Sequence, residues 1–164
     1  MFILRVLFKY YYRMEKLYYT YDDISNLIKN NINKIIDFNP DYIIAIGGGG
    51  LIPARIIRNY INKHIYVVTL SSYDNQDQKD NIEVIQWIDL KLKDKKVLII
   101  DEIDDTRKTL HYCIQRLKLV NNANTIGVFV LQNKIKSKVG DISDITYMSC
   151  EDIEDKWVVY PWDN

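Results

Sequence analysis

Cysteine and histidine are scarce in this sequence, and their scarcity excludes two kinds of site. The 164 residues include two cysteines, Cys113 and Cys150, and two histidines, His64 and His111. Two cysteines are too few for a disulfide framework, and neither lies at metal-ligand spacing from the other or from a histidine. We therefore expect no zinc site, and we expect the protein to work in a reducing compartment, the cytoplasm.

The sequence also lacks an excess of charge and a long hydrophobic run. Lysine plus arginine and aspartate plus glutamate number 22 each, so the formal net charge is zero and a nucleic-acid partner bound over a broad basic face is not favoured. The apolar N-terminus, MFILRVLFK, is interrupted by Arg5 and Lys9, is too short to cross a membrane and lacks the cleavage site of a signal peptide. We expect no nucleic-acid partner and no membrane attachment.

What the sequence does contain is typical of one globular domain. Hydrophobic residues make up 48% and charged residues 27% of a chain that is long enough to bury a core. Isoleucine and leucine at helical spacing predict a helix over 21–38, with Thr20 and Asp23 as a capping box. Similar spacing predicts a second helix directly after Gly50, and a third whose apolar stripe consists of Leu110, Cys113, Ile114 and Leu117.

Apolar segments between these helices predict strands. Residues 42–46 are almost wholly apolar, which is typical of a strand covered on both faces. Residues 71–81 are polar and are predicted to form a loop. The alternation of strands and helices predicts a single α/β domain with a mainly parallel central sheet flanked by helices. The other predicted strands cover residues 65–70, 82–88, 96–100 and 125–132.

Two polar turns, Gly47–Gly50 and Asp101–Thr109, each follow a predicted strand and precede a predicted helix. Ligands of open α/β sheets bind beyond the carboxyl ends of the strands, and the free N–H groups of a helix start favour an anion. Carboxylates at the same place suit sugar hydroxyls and Mg²⁺. The second turn therefore predicts a site for a phosphorylated sugar, although neither turn has the spacing of a Walker motif or of the dinucleotide fingerprint. A tight glycine turn and a solvated acidic loop are the plain alternatives.

The segment VLIIDEIDDTRKTL resembles the phosphoribosyl pyrophosphate (PRPP) motif of type I phosphoribosyltransferases. DYIIAIGGGGLIPARII is similar to the pyrophosphate loop and helix of that family, LSSYDNQDQ to its mobile lid, and LQNK and KWVVYPWD to segments that bind a purine. The resemblance assigns residues 14–164 to the phosphoribosyltransferase domain and leaves 1–13 as an N-terminal extension. The sequence DDTRKTLHYC and the ending YPWD most resemble 6-oxopurine enzymes, including fungal-type members.

This resemblance implies the type I phosphoribosyltransferase fold with a small C-terminal hood, and it implies a reaction. The phosphoribosyl group of PRPP would pass to hypoxanthine, guanine or xanthine, giving a nucleoside 5′-monophosphate and pyrophosphate. The implied cofactor is Mg²⁺, the small-molecule partners are PRPP and the purine base, and the implied assembly is a homodimer.

The resemblance also implies roles for individual residues. Asp105 would be the catalytic acid/base, with Asp104 as the next candidate. Asp101 and Glu102 would bind the ribose hydroxyls and, together with Asp163, the metal. The ribose 5′-phosphate would be bound by the turn made of Asp104, Asp105, Thr106, Arg107, Lys108 and Thr109, and the pyrophosphate by Gly47, Gly48, Gly49 and Gly50. The purine would be bound by Lys134, Trp157 and Val158. Ser72 and Tyr73 would belong to the lid.

Two residues depart from the pattern of the family. Arg107 stands where many members have glycine, and Gly48 stands where relatives often have lysine or arginine. These departures keep open a noncatalytic regulator of the same fold that senses PRPP or a nucleotide, and a third hypothesis is a pyrimidine or orotate phosphoribosyltransferase. A solvated surface lysine is the plain alternative for Lys134, and packing is the expected role of Trp162.

Overall fold

The structure, a computed structural model, describes residues 15–75 and 78–163, with the backbone alone for 73–75 and 78–81. The predicted N-terminal extension, 1–13, therefore lies outside the described residues. In chain order the elements are β1 (Lys16–Tyr18), α1 (Tyr21–Phe38), β2 (Tyr42–Ile46), α2 (Leu51–Ile61), β3 (Ile65–Asn75), β4 (Gln78–Gln86), β5 (Lys96–Asp104), α3 (Lys108–Asn121), β6 (Thr125–Lys134), β7 (Thr146–Ile153) and β8 (Trp157–Val159).

The central sheet has six strands in the order β4-β3-β2-β5-β6-β7. β3 and β4 pair antiparallel, and the other neighbouring strands pair parallel. β1 and β8 form a separate two-stranded parallel sheet, which brings the C-terminal end of the chain beside its first described strand. The predicted α/β domain with a mainly parallel sheet and a small C-terminal unit is confirmed.

Helices cover both faces of the sheet, and β2 shows this most directly. Its side chains alternate: Ile44 and Ile46 pack into a core cluster with α3, whereas Ile43 and Ala45 pack into a second cluster with α1 and α2. Both faces of β2 are therefore dry, as the apolar run predicts. Cys113 lies in the first cluster as a core side chain.

The first helix begins and ends where its sequence predicts. Thr20 Oγ1 accepts from Asp23 N at 3.1 Å, and Asp23 Oδ2 accepts from Thr20 N at 2.8 Å, which completes the capping box. Asn39 ends the helix in the left-handed conformation (φ 50°) and donates its N–H to Ile35 O. These caps satisfy backbone groups that every helix leaves unpaired at its ends.

The prediction of a polar loop over 71–81 is wrong. β3 continues to Asn75, β4 begins at Gln78, and Ser71 pairs with Glu83 across an antiparallel hairpin. β3 is also less covered than its apolar sequence suggests, because Val68 alone of 65–70 is fully buried. The hairpin lies at the edge of the sheet, and its polar sequence lacks the apolar alternation that predicts a half-buried strand.

The acidic run also belongs to a strand rather than to a loop. β5 continues through Asp104, and the ladder pairs Asp101 with Val130 and Asp104 with Asn133 of β6. β7, with the sequence TYMSCEDI, was not predicted, and neither was the short β1. Among the described residues, no helix combines the length and the hydropathy needed to cross a bilayer.

Candidate active site

The two predicted turns meet at the carboxyl ends of β2 and β5, where they enclose a cleft of about 250 Å³. The glycine turn after β2 supplies one wall, and the end of β5 with the start of α3 supplies the other. Leu70 of β3 and Leu110 of α3 add apolar surface. The polar lining comes from Asp101, Glu102, Asp104, Asp105, Thr106, Arg107, Lys108 and Thr109.

The glycines of the first turn are needed for close approach. A Cβ on Gly49 would lie 1.7 Å from Glu102 Cδ, and a Cβ on Gly50 would lie 2.3 Å from the carbonyl oxygen of Ile100. The absence of side chains lets the turn lie directly against the acidic end of β5. Gly48 is different, because its φ of +71° favours glycine while the space beside its Cα is open.

Asp101 and Glu102 form an acidic pair on this wall. Asp101 Oδ1 accepts from Glu102 N at 3.0 Å. Burial, together with the charge of Glu102, raises the pKa of Asp101 well above its ordinary value. Glu102 Oε2 is buried and has no hydrogen-bond partner. A buried acceptor without a donor is costly, so this oxygen suits a hydroxyl group or a cation of a ligand.

The third predicted metal ligand does not join this pair. Asp163 Oδ2 accepts from Tyr160 N at 2.9 Å and so caps the turn at the C-terminal end of the chain. No group of three or more histidine, cysteine, aspartate or glutamate side chains within 15–75 and 78–163 could hold a metal ion. The expected set of Asp101, Glu102 and Asp163 is therefore not assembled, and a metal at Asp101 and Glu102 would need ligands from the substrate.

The side chains of Asp104 and Arg107 bind each other, so any contact of theirs with a phosphate would come from the backbone. Asp104 is 1% exposed. Its Oδ2 accepts from Arg107 Nη2 at 2.8 Å and from the Tyr147 hydroxyl at 2.9 Å, and its Oδ1 lies 3.4 Å from Lys138 Nζ. A carboxylate held by these groups is not free as an acid/base or as a phosphate contact. The Arg107 guanidinium also lies 5.3 Å from the centroid of the Tyr147 ring.

Arg107 occupies a backbone position that favours glycine. Its φ is 69°, in the left-handed region, and it precedes the first residue of α3. This geometry explains why glycine is common there in the family that the turn resembles. The two hydrogen bonds from its guanidinium to Asp104 offset the backbone cost in this chain.

The start of α3 retains its capacity for an anion. Arg107, the residue before the helix, makes no side-chain hydrogen bond that would cap it. Thr106, Lys108 and Thr109 line the cleft at this point. Backbone amides and the helix dipole together favour a phosphate here.

Asp105 lies in a ring of four charges at the side of the cleft. Its Oδ1 is 2.9 Å from Lys136 Nζ, and its Oδ2 is 3.4 Å from Lys134 Nζ. Asp155 completes the ring, with Oδ1 3.3 Å from Lys134 Nζ and Oδ2 2.8 Å from Lys136 Nζ. Lys134 is 6% exposed, so it is not the solvated surface lysine that its neighbours in sequence suggest.

The comparison with known proteins identifies the domain. Residues 15–164 match the phosphoribosyl transferase domain. The chain belongs to the phosphoribosyltransferase family. It is 38% identical to the hypoxanthine-guanine phosphoribosyltransferase of Schizosaccharomyces pombe, over 90% of this chain and 89% of that protein. It is 37% identical to xanthine phosphoribosyltransferase 1 of Saccharomyces cerevisiae, over 91% of this chain and 90% of that protein.

Two solved structures, one of them a purine phosphoribosyltransferase and the other a hypothetical protein, share the architecture. A purine phosphoribosyltransferase from Pyrococcus horikoshii superposes with a TM-score of 0.79 and 29% identity, covering 92% of this chain and 96% of that one. A Neisseria gonorrhoeae protein with bound ppGpp superposes with a TM-score of 0.83 and 42% identity, covering 92% of this chain and 90% of that one. The family resemblance of the sequence is therefore confirmed across most of the domain.

The segment that resembles the purine end of the phosphoribosyltransferase site lies on and after β8. Trp157 is 44% exposed, and Val158 packs partly into the core. Trp162 stacks on Tyr160 with ring centroids 4.8 Å apart, as its expected packing role requires. Of the predicted lid, Ser72 is exposed on β3 and Tyr73 pairs with Asn81 through the backbone, while the Tyr73 side chain lies outside the described residues.

The sequence did not predict Tyr160 and Lys138, which hydrogen-bond to the backbone of the acidic segment. Tyr160 places its hydroxyl 3.1 Å from the Glu102 carbonyl oxygen and also contacts Gln132. Lys138 donates to the Asp105 carbonyl oxygen at 2.8 Å. The one available signal was spacing: Lys134, Lys136 and Lys138 recur at every second position, which places them on one side of an extended chain.

The glycine turn yields a prediction with an internal control. Gly49→Ala is expected to weaken PRPP binding about tenfold or more, because the new Cβ displaces the Glu102 carboxylate. The free energy of unfolding should change by only about 1 kcal/mol, since a glutamate side chain can rotate away. Isothermal titration with PRPP and denaturant unfolding measure the two effects.

Gly48→Ala is the matched control, because nothing lies within 4 Å of its Cβ. It should bear the cost of a positive φ, about 1 kcal/mol, in the free energy of unfolding. Its effect on PRPP binding should be smaller than that of Gly49→Ala, because it leaves the Glu102 carboxylate in place, and a larger effect would contradict the placement of Glu102 against Gly49.

Proposed function

We propose that this protein is a purine-salvage enzyme that transfers the phosphoribosyl group of PRPP to a 6-oxopurine. The observation that carries the proposal is the pairing of Asp105 with the buried Lys134, 3.4 Å apart, beside the helix start that favours a phosphate. An acid/base carboxylate and a donor for a base oxygen then lie side by side. The two fungal relatives are named for hypoxanthine, guanine and xanthine, which are all 6-oxopurines.

The 5′-phosphate, the ribose and the pyrophosphate of PRPP would each contact a different part of the cleft. The 5′-phosphate would lie on the amides and hydroxyls from Thr106 to Thr109, where α3 begins. The ribose hydroxyls would donate to Asp101 and Glu102, and so give the buried Glu102 Oε2 its missing partner. The pyrophosphate would lie over Gly47–Gly50, where the lack of side chains lets a ligand approach the backbone. The amides of Gly47 and Gly50 already donate to Val68 O and Ile46 O, so Gly48 and Gly49 are the amides to consider.

Mg²⁺ fits the acidic pair if the substrate completes its coordination. Mg²⁺ commonly binds through one or two carboxylates plus substrate oxygens and water, which matches Asp101 and Glu102 without Asp163. When bound, it would neutralise the charge that develops on the departing pyrophosphate. Asp101 and Glu102 would at the same time fix the ribose ring, so that its anomeric carbon faces the base.

Asp105 would act on the purine imidazole edge as acid/base. Bond formation between a purine nitrogen and the anomeric carbon releases a proton from the base, and a carboxylate at hydrogen-bond distance accepts it. Asp104 is not an alternative, because its carboxylate is buried and held by Arg107, Tyr147 and Lys138.

Lys134 would select for an oxygen at position 6 of the purine. Its ammonium group only donates hydrogen bonds, so it pairs with a carbonyl oxygen and not with the amino group of adenine. A site built around such a bond excludes an analogue that lacks the acceptor. The Neisseria gonorrhoeae relative was solved with ppGpp, a guanosine nucleotide, which supports a site for a 6-oxopurine.

Trp157 is exposed on β8 and would stack on the base, and the backbone of Val158 would contact the edge of the ring.

The homodimer and the cytoplasmic location remain parts of the proposal that rest on the family and on the two free cysteines. Size-exclusion chromatography with light scattering measures the assembly directly.

A base panel tests the function. Purified protein with PRPP and Mg²⁺ is expected to release pyrophosphate with hypoxanthine, guanine or xanthine and at least a hundredfold more slowly with adenine, orotate or uracil. Binding of PRPP without turnover of any base would favour the noncatalytic regulator. Preference for orotate or uracil would favour the pyrimidine enzyme.

Asp105→Asn tests the acid/base role. We expect turnover to fall about a hundred- to ten-thousand-fold while the Kd for PRPP stays within about threefold, because the 5′-phosphate and ribose contacts lie elsewhere. Asp144→Asn is the control: it removes an exposed carboxylate that pairs with Lys118 outside the cleft. Turnover of Asp105→Asn at the wild-type rate would contradict the assignment.

Removal of the metal tests the role of the acidic pair. Turnover in the presence of excess EDTA is expected to fall at least a hundredfold and to return when Mg²⁺ is added in excess, because two carboxylates alone repel pyrophosphate. Undiminished pyrophosphate release in EDTA would show that the carboxylates act without a metal.

A further inference from the structure

Asp155 is an aspartate that neither the PRPP turns nor the purine segment accounts for. It lies between β7 and β8, two residues before Trp157. Its carboxylate contacts the two lysines that also contact Asp105, at 3.3 Å to Lys134 and 2.8 Å to Lys136. Each carboxylate of the ring therefore faces both lysines, and the four charges sum to zero.

The two lysines are held differently. Lys136 Nζ lies 2.9 Å from Asp105 and 2.8 Å from Asp155, which are ordinary lengths for charge-assisted hydrogen bonds. The hydrogen bond to Asp155 raises the pKa of Lys136, and the hydrogen bond from Lys136 lowers the pKa of Asp155, so both are charged at neutral pH. Lys136 and the two aspartates form the tight side of the ring.

Lys134 Nζ lies between the same carboxylates but farther from both, at 3.4 Å from Asp105 and 3.3 Å from Asp155. These distances exceed the 2.7–3.2 Å that is usual for N–H···O bonds. Lys134 is thus a nearly buried cation with two attractions of similar strength and no short bond to either carboxylate. A donor held in this way is available to a third acceptor.

We infer that Asp155 is a positioning residue that keeps Lys134 from closing onto Asp105 and holds it ready for the oxygen of the purine base. The inference rests on the proposed function. With Asp155 neutral, Asp105 is the single anionic neighbour of Lys134 in the ring. Lys134 and Asp105, the two side chains that the base requires, then bind each other. The base then has to compete with an internal ion pair, whereas PRPP is bound at other residues.

The test is the substitution Asp155→Asn, which keeps the shape of the side chain and removes its charge. The KM for the preferred 6-oxopurine is expected to rise about tenfold, with the KM for PRPP within about twofold of wild type. The same change at the exposed Asp144 should alter neither constant. Asp155→Glu keeps the charge and is expected to stay within about threefold of wild type for the base.

A double-mutant cycle separates this role from a general disturbance of β8. In a Lys134→Met background, Asp155→Asn should cause no further rise in the KM for the base, because the residue through which it acts is gone. A further tenfold rise in that background would overturn the inference and point to displacement of Trp157. An unchanged KM for the base in the single variant, or an equal rise in the KM for PRPP, would overturn it as well.

The Asp155 side chain is 42% exposed, so the Asn variant is expected to fold, and thermal unfolding of every variant is measured first. If Asp155→Asn unfolds, Asp155→Ser, which also removes the charge, provides the cycle in the same two backgrounds. Wild-type turnover separates the two claims: no turnover of any 6-oxopurine contradicts the proposed function, whereas wild-type turnover with an unchanged base KM in Asp155→Asn contradicts only the role of Asp155.

Discussion

A buried carboxylate, Asp104, holds the site together. It is the last residue of β5, and its partners come from three different segments: Arg107 just before α3, Lys138 after β6, and Tyr147 of β7. Loss of one partner from a buried ion pair typically costs about 3–5 kcal/mol, because the remaining charge stays out of water. The turn between β5 and α3 therefore has a defined shape without a ligand.

Asp104 and Asp105 have the same side chain but different surroundings. Asp104 is buried and its Oδ2 is held by Arg107 and Tyr147, whereas Asp105 borders the cleft and shares its lysines with Asp155. The one is suited to holding the backbone and the other to chemistry. β5 is hydrogen-bonded to β6 as far as Asp104 and Asn133. The two aspartates therefore differ because Asp104 is the last residue of the strand and Asp105 is the first residue after it.

The elements that follow from local pattern were predictable, and those that depend on distant partners were not. The spacing of Ile24, Ile28, Ile32 and Ile35 predicts α1, and the apolar run of β2 predicts a strand buried on both faces. The hairpin of β3 and β4 lies at the edge of the sheet and is polar in sequence, so its sequence resembles a loop. In the site, the turns around Gly49 and Asp105 were recognisable from sequence, but the ring with Asp155 joins residues about fifty positions apart. No local pattern reports such a contact, and the same holds for Tyr160 at the Glu102 carbonyl.

The open space beside Gly48 has a consequence for the release of pyrophosphate in the proposed reaction. A lysine or arginine at this position would hold the pyrophosphate by charge, but this chain offers backbone amides and open solvent. On the proposed reaction, Mg²⁺ at Asp101 and Glu102 would supply the positive charge that the turn lacks. Release of pyrophosphate would then break no ion pair with this turn, which favours quick clearance of the cleft over tight product inhibition.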